Sequence, residues 1–362
     1  VIDFGLGNPD TPPPQHVMDK LSQLVKDPAL FGYSVTGGID ILKKSICEYY
    51  KRRFHVTLDY KTQSLVTIGA KEGIASLATA ISDAENHIVV PSPAYPIHTF
   101  AFEISKGNLL QIDSLSGKDF LIKFKEHVKQ SAKKPLAVIV SFPCNPTSEI
   151  VGIDFYEELV AFCKEHHIYI ISDIAYSELY FNEEDKPHSI LEVEGAENLA
   201  IEFYSVSKSY SMAGCRVGFA VGNKNLIAAL YKIKSYLDYG SFSPLQMVAA
   251  DALSEKSDAY LDDLRQKYKS RGEFLVNLFK DELNWVIEKP KASMFIWTKL
   301  PKEFAHLSSF EFCKKMILEA GVAMSPGSSF GKNGEGYVRL SLIHSEENVR
   351  KAAAKMKLVF QS

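Results

Sequence analysis

"LAVIVSFPCNPTSEIVGIDFYEELVAFCKEHHIYIISD", residues 136–173, contains two short apolar runs, 136–142 and 168–172, separated by one amphipathic segment. Neither run alternates apolar with polar residues, the pattern expected of strands buried on both faces. Between them Asp154 stands at a helix start and caps it, Glu157 follows three residues later, and Phe155, Leu159 and Phe162 share one face. Strand, helix and strand in that order predict two parallel strands joined by a right-handed crossover. The pattern continues in both directions. "LVTI" (65–68), "HIVV" (87–90) and "LLQI" (109–112) precede the quoted stretch, and "AIEFYS" (200–205) and "VGFAVG" (217–222) follow it. Seven such runs predict an α/β fold with a mostly parallel seven-stranded sheet covered by helices.

From about residue 256 the pattern changes. Helices "LVNLFKDEL" (275–283) and "SFEFCKKMILEA" (309–320) alternate with strands "WVIE" (285–288), "SMFIWTKL" (293–300) and "YVRLSLI" (337–343), and "ENVRKAAAKMKLVF" (347–360) forms a last helix. This predicts a smaller α+β domain. The expected division is a large domain at 33–255 and a small one built from 1–32 and 256–362. A chain of 362 residues is too long for one typical core, and 46% hydrophobic residues suffice to fill two.

A net charge of −3 with interspersed signs offers no basic stripe for nucleic acid and no polybasic arm for a membrane surface. No apolar run is long enough to cross a bilayer. Small molecules are the expected partners. The five cysteines, Cys47, Cys144, Cys163, Cys215 and Cys313, are odd in number and show neither a C-x-x-C pair nor disulfide-like spacing, so a cytoplasmic location is expected.

Ligands of open α/β sheets bind outside the carboxyl ends of the strands. That rule selects Asn145 just beyond 136–142, Asp173 at the end of 168–172, and Lys208 after 200–205, in "SVSKSYSMAGCRVGFAVG" (205–222). An isolated lysine among serines and small residues is partly desolvated there. Upstream, "TIGAKEGIASLATA" (67–80) runs from a strand through Gly69 into a helix beginning near Ala70. The free amides and dipole of such a helix start suit a phosphate. A lysine, a carboxylate, an anion site and an arginine together meet the needs of pyridoxal phosphate, whose aldehyde takes a lysine amine and whose ring nitrogen pairs with a carboxylate.

These residues resemble the class I/II aminotransferases of fold type I, a pyridoxal-phosphate-dependent transferase family, over essentially the whole chain. Within it the chain is similar to the bacterial alanine/aspartate aminotransferases. On "SVSKSYSMAGCRVG" the resemblance implies that Lys208 carries the cofactor and that Ser205 and Arg216 bind its phosphate, with Ala70 and Lys71 at the helix start. On "SDIAYSELY" it implies that Asp173 holds the ring nitrogen protonated and that Tyr176 donates to the ring's 3-oxygen. Asn145, in "NPT", would share that oxygen and the substrate carboxylate, and Tyr95, in "PSPAYP", would stack on the ring. Tyr33, in "YSVTGG", would reach the phosphate of a neighbouring subunit, which implies a homodimer with composite sites. Gly7, in "GLGNPD", and Arg339, in "YVRLSLI", would contact the substrate, the arginine clamping its α-carboxylate.

The implied reaction is ping-pong transamination between an L-amino acid and a 2-oxo acid, with Lys208 moving the proton. Glutamate/2-oxoglutarate with alanine/pyruvate or aspartate/oxaloacetate are the implied pairs. The chain departs from the family at Ser148, where glycine usually follows N-P-T, and at Tyr95, where tryptophan is familiar. "GNPDTPPP", "SPAYPIHTF" and "IKSYLDYGSFSPLQ" are similar to glutamate-pyruvate and LL-diaminopimelate aminotransferases. A diaminopimelate aminotransferase or a β-lyase is therefore the alternative reaction. A cofactor-binding regulatory module without turnover is the alternative class, and the filled catalytic positions argue against it.

Taken singly, each residue has a plainer role: Asp173 as a helix cap, Asn145 as a turn residue, Arg216 and Arg339 in structural ion pairs. Their order and spacing set them apart. Other motifs fail on spacing. "GSSFGKN" (327–333) has three residues between its glycines where a phosphate loop has four, and Asn333 in place of Ser or Thr. "GLGNPD" lacks the third glycine of a dinucleotide fingerprint. His166 and His167 are adjacent and cannot face one metal from one helix side, so no metal site is expected.

Overall fold

The computed structural model describes residues 1–361. In chain order its strands are β1 (Ile2–Asp3), β2 (Ser64–Thr67), β3 (His87–Ser92), β4 (Asn108–Asp113), β5 (Ala137–Ser141), β6 (Tyr169–Asp173), β7 (Ala200–Ser205), β8 (Gly218–Gly222), β9 (Phe295–Lys299), β10 (Val322–Ala323), β11 (Ser325–Pro326) and β12 (Tyr337–Ser341). The helices are α1 (Gln15–Leu24), α2 (Asp40–Phe54), α3 (Ala70–Ile81), α4 (Ile97–Ile104), α5 (Gly117–Gln130), α6 (Ile153–His166), α7 (Val206–Ser209), α8 (Lys224–Leu237), α9 (Ser243–Ala252), α10 (Asp258–Leu283), α11 (Ser309–Lys315) and α12 (Glu346–Phe360).

The expected seven strands form one sheet in the order β2-β8-β7-β6-β5-β3-β4. It is mostly parallel: only β8 runs against its neighbours, β7 and β2. The continuous apolar runs have a direct cause. Along β5, Val138 and Val140 enter the core on one face, and Ala137 and Ile139 enter the core on the other. Successive side chains of a strand point to opposite faces, so a strand covered on both must be apolar throughout. Residues of α2 and α6 fill the first core, and residues of α3, α4 and α8 fill the second.

The C-terminal part builds an antiparallel sheet in the order β11-β12-β9, in which Arg339 lies opposite Trp297 on one side and Ser325 on the other. β1 pairs in parallel with β10. A third core, including Phe4, Tyr268, Phe279, Phe312, Leu340 and Met356, packs this sheet against α10 and α12. α1 buries Val17 in the core that α2 and α6 share.

Two local expectations are corrected. "WVIE" forms no strand: residues 285–288 alternate buried and exposed but pair with no neighbour, the Trp285 indole donating instead to the Lys299 carbonyl at 3.0 Å. Alternating burial marks an extended segment on a core, and a ladder requires a partner as well. Asp154 is not the cap of α6. Gly152 holds that position without a side-chain bond, and Asp154 lies in the first turn, where its charge complements the helix dipole. Among the described residues no helix is long and apolar enough to cross a membrane.

Candidate active site

The ends of β5, β6 and β7 lie on one rim, which β12 reaches through Arg339 and the segment after β1 reaches through Gly7. Lys208 projects from α7, a single turn whose N-cap Ser205 accepts the Ser207 N–H at 3.2 Å. The lysine is largely buried, and its ammonium donates to the Gly7 carbonyl. Burial, and then the positive charges of Arg339 and Arg216, hold its pKa down to about 8. No carboxylate pairs with it among the described residues.

Asp173 ends β6 and is itself buried. It accepts the Ala175 N–H at 3.1 Å and lies 3.0 Å from His98 Nε2. His98 is buried at the start of α4, one helical turn beyond Tyr95, whose ring meets it edge-on with centroids 5.8 Å apart. His98 was not among the residues expected from the sequence; its three-residue spacing from Tyr95 is the signal that points to it.

Arg339 is the best-enclosed cation of the site. One Nη donates to Asn145 Oδ1 at 2.8 Å; the other donates to the Gly5 carbonyl at 2.8 Å and to Ser325 Oγ at 3.3 Å. The guanidinium lies over the rings of both Phe295 and Phe330, 4.0 and 4.7 Å from their centroids. Its Nε–H is buried without a partner, and no carboxylate faces it among the described residues. Burial lowers its pKa. Tyr176 also meets Phe295 edge-on at 5.8 Å, and burial pushes its hydroxyl well above the usual range. Gly7 is required by the same ring: a Cβ there would stand 2.6 Å from Phe295 Cζ.

A second cluster forms at the start of α3. Gly69, at φ +81°, has Arg216 Nη2 only 2.3 Å from where a Cβ would be, and a Cβ on Gly218 would lie 2.7 Å from the Ala70 nitrogen. The helix therefore opens bare, with no side-chain cap, beside a guanidinium. Arg216 donates to the Ala213 carbonyl at 3.0 Å and to the Ile68 carbonyl at 3.3 Å, without an acidic partner among the described residues. Ser205 Oγ is 2.8 Å from Ser207 Oγ. Lys71 is exposed, with no hydrogen bond or ion pair of its side chain among the described residues.

The structure thus brings Lys208 to Gly7, Asp173 to His98 and Tyr95, Asn145 and Tyr176 to Arg339, and Ala70 to Arg216. Tyr33 stands apart from them. It is 89% exposed and packs on Tyr239, with centroids 4.7 Å apart. Tyr95 and His98 also border a cleft of about 790 Å³ that extends under Trp297 and Tyr337, away from Lys208 and Arg339, which do not line it.

The sequence matches the family model of aminotransferase class I and II over residues 1–356. The chain belongs to that family. It is 40% identical to the glutamate-pyruvate aminotransferase AlaC of Escherichia coli (strain K12), covering 100% of this chain and 87% of that one. It is 36% identical to the LL-diaminopimelate aminotransferase of Maridesulfovibrio salexigens, covering 98% and 90%. The crystal structure of the aromatic aminotransferase from Pyrococcus horikoshii OT3 superposes with a TM-score of 0.92 at 28% identity, covering 100% of this chain and 96% of that one. This class I/II aminotransferase has the type I fold, is an enzyme of the transaminase class, and uses pyridoxal 5'-phosphate. The donor set fits that cofactor. A bare helix start beside an unpaired guanidinium suits a phosphate, and a lysine with a depressed pKa suits an aldehyde.

Proposed function

We propose that this aminotransferase transfers amino groups by a ping-pong sequence between glutamate/2-oxoglutarate and alanine/pyruvate or aspartate/oxaloacetate, with the cofactor held by the residues above. Ser205, Arg216, Ala70 and Lys71 would hold the phosphate, and Tyr95 would cover the ring. Asp173, its carboxylate set by His98, would pair with the ring nitrogen. Tyr176 and Asn145 would bind the 3-oxygen. When bound, pyridoxal phosphate supplies an aldehyde for the incoming amino group and a ring that stabilises negative charge at the α-carbon.

The observation that carries the reading is Arg339, a buried guanidinium with, among the described residues, no carboxylate partner and one unpaired N–H, held by Asn145 near a lysine whose pKa is about 8. An α-carboxylate fills that deficit. With the carboxylate on Arg339 and the Gly7 backbone alongside, the substrate α-carbon is directed to Lys208 Nζ. A pKa near 8 leaves a useful fraction of the amine neutral near pH 7, able to take the α-proton and later return one. The rings of Phe295 and Phe330 keep water from the guanidinium, which strengthens its hold.

We also infer a homodimer and a cytoplasmic location. Tyr33, Tyr236, Leu237 and Tyr239 are all more than 60% exposed. The segments that carry them are tied together by Thr36 Oγ1 donating to the Asp238 carbonyl at 3.0 Å. Such an apolar patch suits a second copy, with Tyr33 reaching the neighbouring phosphate. The working bodies are taken as 33–255 and 1–32 with 256–362, α1 packing back on the first. A second reading, with LL-diaminopimelate as donor, draws on the relatives of that name.

The test is the visible absorption of the purified enzyme during separate titrations with glutamate, alanine, aspartate and diaminopimelate. Bleaching of the bound-cofactor band by one of them, reversed by the matching oxo acid, is expected. Ammonia and pyruvate released without a second oxo acid would make it a β-lyase instead.

A further inference from the structure

Ser148 stands where the family usually has glycine, and it keeps the backbone that suits glycine, at φ +61°. Across from it Ser293, just before β9, is also left-handed, at φ +65°. Non-glycine residues rarely adopt this conformation, because the Cβ crowds its own backbone. Two serines side by side in it need a compensating interaction, and the structure contains one. Ser148 Oγ lies 2.6 Å from Ser293 Oγ and 2.8 Å from the Phe295 carbonyl, while the Phe295 N–H donates to Ser293 Oγ at 3.1 Å.

The proton directions follow by elimination. A carbonyl only accepts, so Ser148 donates to Phe295; each hydroxyl has one proton, so Ser293 donates to Ser148. The bonds close into a ring in which each serine hydroxyl both donates and accepts. Both side chains are buried.

The ring joins two segments that matter to substrate. Ser148 is in the loop of Asn145, which bonds Arg339. Phe295 carries the Arg339 guanidinium on its face, closes on Gly7, and meets Tyr176. We propose that Ser148 and Ser293 form a latch between the Asn145 loop and β9, a pair of positioning residues that holds the Phe295 platform so that Arg339 is set for the α-carboxylate before substrate arrives. This rests on the reading of Arg339 given above.

The test compares Ser148→Gly, which also relieves the backbone strain, with Ser293→Ala, Ser148→Gly/Ser293→Ala and Arg339→Gln in the holoenzyme. The measured quantities are KM and kcat for L-alanine, inhibition by propionate as a bare carboxylate, and inhibition by L-alaninamide, which has the amine without the carboxylate. Each latch variant is expected to raise KM and the propionate inhibition constant about tenfold, the worth of one to two hydrogen bonds, with kcat and alaninamide inhibition unchanged. The double variant should be no worse than either single, because one break opens the ring. Arg339→Gln should weaken propionate at least as much. If Arg339→Gln weakens propionate and Ser148→Gly does not, the latch is overturned alone. If Arg339→Gln leaves propionate unchanged, the carboxylate reading falls and the latch with it. Equal weakening of propionate and alaninamide by Ser148→Gly would reduce the pair to a structural contact.

Discussion

Lys208→Met in the cofactor-free protein isolates the electrostatic state of the reactive amine. In the folded chain the lysine's pKa falls from 10.5 to about 8, through burial first and then the charges of Arg339 and Arg216. At 1.36 kcal/mol per pH decade, the folded state disfavours the ammonium by roughly 3 kcal/mol. Below about pH 8 both folded and unfolded chains hold the proton and the full penalty applies; between there and about pH 10.5 only the unfolded chain holds it, so wild-type stability rises with pH. Methionine has no proton to lose. Its loss of the bond to the Gly7 carbonyl costs about 1 kcal/mol at every pH and cancels from the comparison between pH values. The stability difference between variant and wild type should therefore shift by about 2 kcal/mol between about pH 7 and about pH 9.5, in favour of wild type at the higher pH. Urea titrations at the two pH values measure it. Adding Arg339→Gln to both chains should shrink the shift, since one of the two charges is gone. Parallel pH profiles for wild type and Lys208→Met would refute the depressed pKa, and with it the general-base argument.

Gly69→Ala places a Cβ where Arg216 Nη2 would be 2.3 Å away, at a backbone φ of +81°. Cofactor retention should fall at least tenfold by residual absorbance after dialysis, together with a backbone cost of about 1–2 kcal/mol. Lys234 is fully buried and bonds both Glu72 oxygens at 3.1 Å and Asp238 at 2.8 Å. Lys234→Met strands two carboxylates and should lower the unfolding free energy by about 3 kcal/mol in denaturant titration. His98→Phe removes the Asp173 partner while filling its volume. A fall in kcat of about tenfold at constant KM is expected, the worth of one charge-assisted hydrogen bond, and an unchanged kcat would make His98 mere packing.

The large sheet is legible because its physics is local. A strand covered on both faces must be apolar at every position, as Ala137 to Val140 are, and the shortness and β-branched content of these runs mark them as strands. The same rule fails at residues 285–288, where burial alternates without a pairing partner. At the site, Asn145, Asp173 and Lys208 follow from one topological rule, since strand ends can be counted along the chain. The residues that give these groups their properties are not countable in that way. Arg339 meets Asn145 from 194 positions away, and it does so on the faces of Phe295 and Phe330, which in sequence look like ordinary core aromatics. Ser148 is visible as a substitution, but its use depends on Ser293, 145 positions later, and on two left-handed backbones that no composition or periodicity records. Function in this chain therefore separates by range. The groups that touch cofactor and substrate are read from short motifs, whereas the contacts that orient them, His98 on Asp173 and Arg339 on Asn145, span 75 and 194 positions, and only a folded chain brings them within reach.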